Sequence, residues 1–430
     1  MNITSKLLAF LACAACAATL FGTATDVPVV SNVGFDQPGG GRTVTVTYNL
    51  QYAPAIVTME VLTNGVSIGA DKVMHLRGDV NKVVQPGACQ IEWIAKRDWP
   101  GHLITDNSVS VKLTAWALTE PPPYMVADLE TPSNVTYYVS VDALPDGGLS
   151  NNLYRTSRLV MRRINAVGVR WNMGTHPAEN GYTSSRPQEA IHSVQLTNDY
   201  YIGVFELTQG QWKRITGFYL YSDVQTDGVR EVYPLQYAAF TEMREAAPVS
   251  SGNPPALDSN SSYIFPAPPA PNSFLGKLSS LTGVAFDLPS ECEWEYACRA
   301  GNYGAKWGDG SLIQLKGGSD NGEDTNLTRL GAYGKNANAI QPVGSYEPNS
   351  WGLYDMHGNL WEMCLDWYGV DITGLDGAVN PTPPSNNRRV DRGGAKHSAQ
   401  YQCRSSYRDS DNPEGRSLGI GYRLVSRIAQ

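Results

Sequence analysis

The chain holds 430 residues, too many for one compact core at the usual ~100–200 residues per domain. Its 33 Lys and Arg against 41 Asp and Glu give a formal net charge of −8, so it lacks the basic footprint of a nucleic-acid-binding protein. Hydrophobic residues make up 42% of it, which excludes a disordered chain, and 42 Gly with 27 Pro favour short strands and ordered loops over a helical bundle.

Residues 1–24 read as a secretory signal peptide. Lys6 supplies the positive start, residues 7–21 are an apolar run, and Gly22, Thr23 and Ala24 offer small residues for cleavage. The run falls short of the ~20 residues that span a bilayer, and no other segment is long and apolar enough to cross one. The expected location is secreted or periplasmic. A lipid anchor on Cys13 or Cys16 is the alternative, although neither lies in a small-residue lipobox. Cleavage leaves Cys89, Cys292, Cys298, Cys364 and Cys403 in an oxidising compartment, an odd set in which at least one thiol has no partner within the chain.

Residues 26–120 alternate with period two. Residues 43–48 (TVTVTY), 55–61 and 109–116 (VSVKLTAW) read as strands, and Asn64-Gly65 as a hairpin turn. The expectation is an all-β, immunoglobulin-like sandwich. Trp93 and Trp99 read as packing residues of that domain. The prolines at 121–123 open a linker, residues 121–154, which includes a further strand at 135–141. Beyond it, residues 248–272 are rich in Pro, Ser and Asn and read as an exposed loop.

One helix is specified in detail. Ser290 and Glu293 form a capping box, the acidic Glu291, Glu293 and Glu295 suit the positive end of the dipole, and Gly301 supplies a left-handed stop. Trp294, Ala297 and Cys298 then face the core and Cys292 points elsewhere. A shorter helix runs from Thr208 to Thr216 and ends at Gly217.

Four ordered segments carry a resemblance: residues 202–217 (IGVFELTQGQWKRITG), 288–301 (LPSECEWEYACRAG), 342–367 (PVGSYEPNSWGLYDMHGNLWEMCLDW) and 389–425. Together they resemble the formylglycine-generating enzyme, or sulfatase-modifying factor, family over residues 155–428. The resemblance implies an α+β chain whose C-terminal domain is a loop-rich variant of the C-type lectin fold.

The family's oxidase binds copper through two cysteines after the Gly-Gly of the last segment, and soft thiolates are what Cu(I) needs. Here Gly393 and Gly394 are followed by a shorter stretch. Counting forward from Gly394 places the first cysteine position at Ser398, and counting back from Arg408 places the second at Gln400. Ala395 also replaces the serine expected beside that site. Copper is therefore not expected. An iron site of the ergothioneine-synthesis type needs clustered histidines, whereas His75, His102, His176, His192, His357 and His397 are scattered.

The resemblance further implies structural calcium on the side chains of Asp355 and Glu362 and the carbonyls of Gly358 and Leu360, a hard-oxygen set. The other reading of Asp355 and Glu362 is that they only cap the turn. A second calcium site would start at Asn326 and the Leu327 carbonyl. Family members of this type pair Cys364 with Cys403, and Cys298 with Cys403 is the alternative bridge. Cys89 and Cys292 read as inert thiols. His397, Tyr401 and Tyr407, with Trp351 nearby, form a candidate recognition surface for a protein or glycan ligand, unless these aromatics pack a loop-rich core. The expected function is a non-oxidase binding module. The alternative is an oxidoreductase acting on a cysteine of a sulfatase or another protein.

Overall fold

A computed structural model describes residues 27–429 apart from 103, 105–107, 177–186, 221–226, 257–265, 305–306, 312–321 and 382–386. The expected signal peptide lies outside the described residues. The chain divides into two compact units at Pro121 and Pro122.

In the first unit, Val44, Val46, Tyr48 and Leu50 are buried while the residues between them lie on the other face, the signature of a half-buried strand, Val44–Gln51. It pairs antiparallel with Val29–Asp36 and Gly87–Trp93. A second sheet joins Ala55–Thr63 to Val109–Ala117 along their whole length. Asn64 and Gly65, both with positive φ, turn Ala55–Thr63 back into Val66–Ser67. Side chains of both sheets, Val46 and Trp93 from one and Val57 and Val61 from the other, share one core.

The segment expected as a linker belongs to the second unit. Tyr124–Asp128 pairs with Val135–Tyr138 and with Arg158–Ile164. The prolines stiffen only its entry. Met125, Val126 and Ala127 are buried, and a solvated linker would have no use for them. The sheet continues through Tyr200–Gly203 to Val425–Arg427, all antiparallel. A second sheet orders Asp409–Asp411, Arg389–Arg392, Trp361–Trp367 and Ile420–Gly421, with the last pair parallel. A third joins Arg170–Met173, His192–Gln195 and Ala378–Val379.

The helix Glu291–Arg299 lies among these sheets. The Ser290 hydroxyl accepts from the Glu293 N–H, and the Glu293 carboxylate accepts from the Ser290 N–H at 2.8 Å. Ala300 and Gly301 then take left-handed conformations and end the helix. All nine residues are buried, the glutamates included. Cys292, expected to point away from the core, is 1% exposed and shares a cluster with Trp294, Ala297 and Cys298, because protein covers the helix on every side. Each glutamate meets arginine: Glu291 pairs with Arg408, Glu293 with Arg427 at 2.6 Å, and Glu295 with Arg392 and with Arg299 at 2.8 Å. Burial pushes the Glu295 carboxyl up, but Arg299 and Arg392 outweigh it and leave the group below its ordinary value.

The five described cysteines are all free and buried, so neither expected bridge is present. Cys364 packs in the cluster of Trp294 and Cys298, whereas Cys403 packs with Trp307, Leu327 and Tyr333. The two thiols belong to different cores.

Replacing Glu295 with alanine leaves Arg299 and Arg392 buried without their shared counter-charge, a loss of ~3–5 kcal/mol. Thermal denaturation should show a clearly lowered midpoint for the second unit, and an unchanged midpoint would contradict this assignment.

Candidate functional site

The turn from Asp355 to Glu362 is wound tightly by local conformation. Asp355 and Asn359 both adopt left-handed φ, near 58° and 65°, which short polar side chains tolerate. Gly358 has φ near 109°, and a Cβ there would lie 2.1 Å from the Ala332 carbonyl oxygen, so only glycine fits. The Gly358 N–H donates to the Gly393 carbonyl at 2.8 Å and the Asn359 N–H to that of Ala332 at 2.8 Å.

Three carboxyl groups come together at this turn. Asp355 Oδ2 accepts from the Gly344 N–H at 2.6 Å, while Oδ1 is buried without a hydrogen-bond partner. Glu206 accepts from the Asn359 side-chain amide at 2.6 Å and from the Leu360 N–H at 3.2 Å. Glu362 accepts from Arg423 Nη2 at 2.6 Å and from the Trp294 indole at 2.6 Å, and Arg423 Nε reaches both of its oxygens. Burial, then the charges of Asp355 and Glu362, push the Glu206 carboxyl well above its ordinary range. Burial likewise pushes Asp355 up to about 6, against the Gly344 N–H that favours its ionised form. Glu206 was not anticipated. Its only signal is a lone carboxylate inside the apolar stretch 204–207 (VFEL).

Only part of this set suits calcium. Asp355 offers a hard, uncommitted oxygen, as the cation requires. Glu362 does not, because Arg423 and Trp294 already occupy both of its oxygens. Among the described residues no group of three or more His, Cys, Asp or Glu side chains could hold a metal ion. Asn326 and Leu327 belong to the helix Thr325–Leu330, whose first N–H groups Asp324 caps, and the Leu327 carbonyl accepts from the Gly331 N–H at 3.0 Å.

The segment after Gly394 carries the positions aligned with the copper cysteines. Ser398 is buried, and its hydroxyl accepts from the Ala395 N–H at 2.9 Å. Gln400 is buried at the start of the 3-10 turn Gln400–Cys403. Neither is a soft donor. Of the candidate recognition residues, His397 is exposed and Tyr401 half-buried. Tyr407 is instead buried against Trp361 and Tyr401, with ring centroids 5.9 and 5.6 Å away, and Trp351 packs on Tyr296 at 5.3 Å. Their aromatic area is spent on the core.

His357 ties these loops together. The Gly308 N–H donates to Nε2 at 2.9 Å, so Nδ1 carries the hydrogen that bonds the Cys403 carbonyl at 2.9 Å. Burial holds the imidazole neutral and pushes it down to about 4.

Residues 167–428, more than half of the chain, match the family described as the sulfatase-modifying factor enzyme 1-like domain. The chain belongs to this family. Among relatives of this sulfatase-modifying factor-like chain, the formylglycine-generating enzyme of Bos taurus is 34% identical over 152 residues, covering 32% of this chain and 38% of that one. The formylglycine-generating enzyme of Streptomyces coelicolor is 33% identical over 154 residues, covering 32% and 46%. The matches thus span less than half the length of these two enzymes. Among solved structures, Treponema denticola variable protein 1 is 26% identical with a TM-score of 0.45, covering 63% of this chain and 95% of that one.

Unfolded histidine gains a proton near pH 6.5, whereas folded His357 does so only near 4. Stability is therefore lost as pH falls through that window, by up to ~3 kcal/mol. Melting curves from pH 7 to 4 should fall more steeply for the native chain than for His357→Gln, and parallel curves would contradict the neutral assignment.

Proposed function

We propose that this is an exported, non-oxidase member of the family that binds a protein or glycan through the loop face of its second unit. One observation carries the reading: the positions aligned with the copper cysteines are Ser398 and Gln400, both buried. Burial also pushes the thiols of Cys292, Cys298, Cys364 and Cys403 upward, away from the thiolate that copper binding and oxidation need. This reading includes a C-type-lectin-like second unit and an immunoglobulin-like first unit. His397 and Tyr401 are its contact residues, and Tyr407 packs against Tyr401.

Glycan and peptide arrays probed with the full chain should yield a ligand whose binding falls about tenfold or more in His397→Ala and Tyr401→Ala. Binding indifferent to both substitutions would remove this surface from the reading.

Calcium is part of the same proposal. Asp355 would hold it together with the Gly358 and Leu360 carbonyls, Glu362 staying with Arg423, and the ion would neutralise buried carboxylates that now lack a cation. Calcium should raise the melting temperature of the native chain and not that of Asp355→Ala. Identical melting with calcium and with chelator would end this part.

The alternative is an oxidoreductase acting on a cysteine of a sulfatase or other protein, and it draws on the names of the Bos taurus and Streptomyces coelicolor relatives. Incubation with copper and a Cys-x-Pro-x-Arg peptide separates the two readings. The non-oxidase expectation is an unchanged peptide mass, and conversion of the cysteine to formylglycine would overturn it.

A further inference from the structure

The chain is acidic, with 41 Asp and Glu against 33 Lys and Arg, yet its loop face is not. Neither residues 331–341 (GAYGKNANAIQ) nor residues 393–408 (GGAKHSAQYQCRSSYR) contain an aspartate or a glutamate. The two stretches are held side by side. The Gly334 N–H donates to the Ser398 carbonyl at 2.9 Å. Asn359 links Ala332 to Lys396, its N–H donating to the Ala332 carbonyl at 2.8 Å and its carbonyl accepting from the Lys396 N–H at 2.9 Å. A third stretch closes on them at His397, whose Cε1 lies 3.2 Å from where a Cβ on Gly419 would stand.

The basic groups of these stretches fall into two kinds. Arg404, Arg408 and Arg416 are neutralised from within, by Glu189, Glu291 and Glu242. Lys335 is exposed and Lys396 half-buried, and no ion pair among the described residues includes either. Positive charge without a counter-charge, on a molecule that is otherwise acidic, draws anions to this one place. The rest of the face supplies hydrogen-bonding groups and a ring. Asn338 is exposed. Gln402 is half-buried, and its Oε1 accepts from the Ala399 N–H at 2.9 Å, which leaves its amide N–H groups as donors. Half-buried Tyr401 stands at a steep angle to the Tyr407 ring. Neither 331–341 nor 395–403 contains a strand, so an extended peptide finds no backbone edge there to pair with. Side-chain amides, which donate and accept at one group, suit sugar hydroxyls instead.

We infer that the loop face binds an anionic glycan. Its sulfate or carboxylate groups are set against Lys335 and Lys396, its hydroxyls against Asn338 and Gln402, and a sugar ring against Tyr401. This rests on the loop-face reading proposed above and gives the ligand of that surface a charge. It is independent of the calcium turn.

Calorimetry on the full chain tests this with short dextran sulfate, carboxymethyl dextran, neutral dextran and polyglutamate. The expected result is saturable binding of an anionic dextran, weakened by added salt, and none of neutral dextran. Binding should be about tenfold or more weaker in the double variant Lys335→Gln, Lys396→Gln. A control double variant with the same change of charge, Lys72→Gln with Lys277→Gln, should bind like the native chain, and both variants should melt like it. Preference for one anionic dextran over the other identifies sulfate or carboxylate as the recognised group. No saturable binding of either anionic dextran, equal binding by the two double variants, or polyglutamate binding as tight as that of the dextrans would overturn the inference. A neutral ligand lost in His397→Ala and Tyr401→Ala but kept in the lysine variant would overturn the charge assignment and leave the loop-face reading standing.

Discussion

Taking a carboxylate out of water costs several kcal/mol unless a cation and N–H donors replace its hydration. The second unit faces that cost repeatedly. Glu291, Glu293 and Glu295 are buried on one short helix, and Glu362 lies beside it on a neighbouring strand. Their partners Arg392, Arg408, Arg423 and Arg427 all come from the segment that follows in sequence. The same device recurs away from the helix, where Glu242 meets Arg416 and Glu189 meets Arg404. A chain with only 17% charged residues has thus placed many of them inside, where they tie together segments distant in sequence.

This arrangement also decides what the candidate site has left to offer. Arg423 and Trp294 consume Glu362, the Asn359 amide and the Leu360 N–H engage Glu206, and Gly344 takes one oxygen of Asp355. The uncommitted Asp355 oxygen is what remains for a cation. The segment from Ala395 to Cys403 is closed in a different way, by Ser398 bonding back to Ala395 and by Cys403 sinking into an apolar cluster.

Local chemistry was the most legible part of the sequence. The Ser290 capping box, the Gly217 stop of the shorter helix, and the Asn64-Gly65 turn each depend on residues close in sequence, and each formed as read. What depends on distant partners was not legible. The three glutamates suit a helix N-terminus, and nothing local reveals that Arg408 and Arg427 reach them. The linker reading failed because the pairing of Tyr124–Asp128 is set by Arg158–Ile164. The expected bridge misjudged which core each of Cys364 and Cys403 enters.

The direction of the long-range pairing has a consequence for how the protein is made. The first unit finds its strand partners between residues 29 and 117 and can close while the rest is still being translated. The second unit cannot. Glu293 lacks its counter-charge, and the strand Tyr200–Gly203 has only Arg158–Ile164 beside it, until residues 425–427 have emerged. The second unit therefore completes its order late, and a ribosome that stops before that point releases a folded first unit attached to an acidic chain whose main sheet still has an open edge.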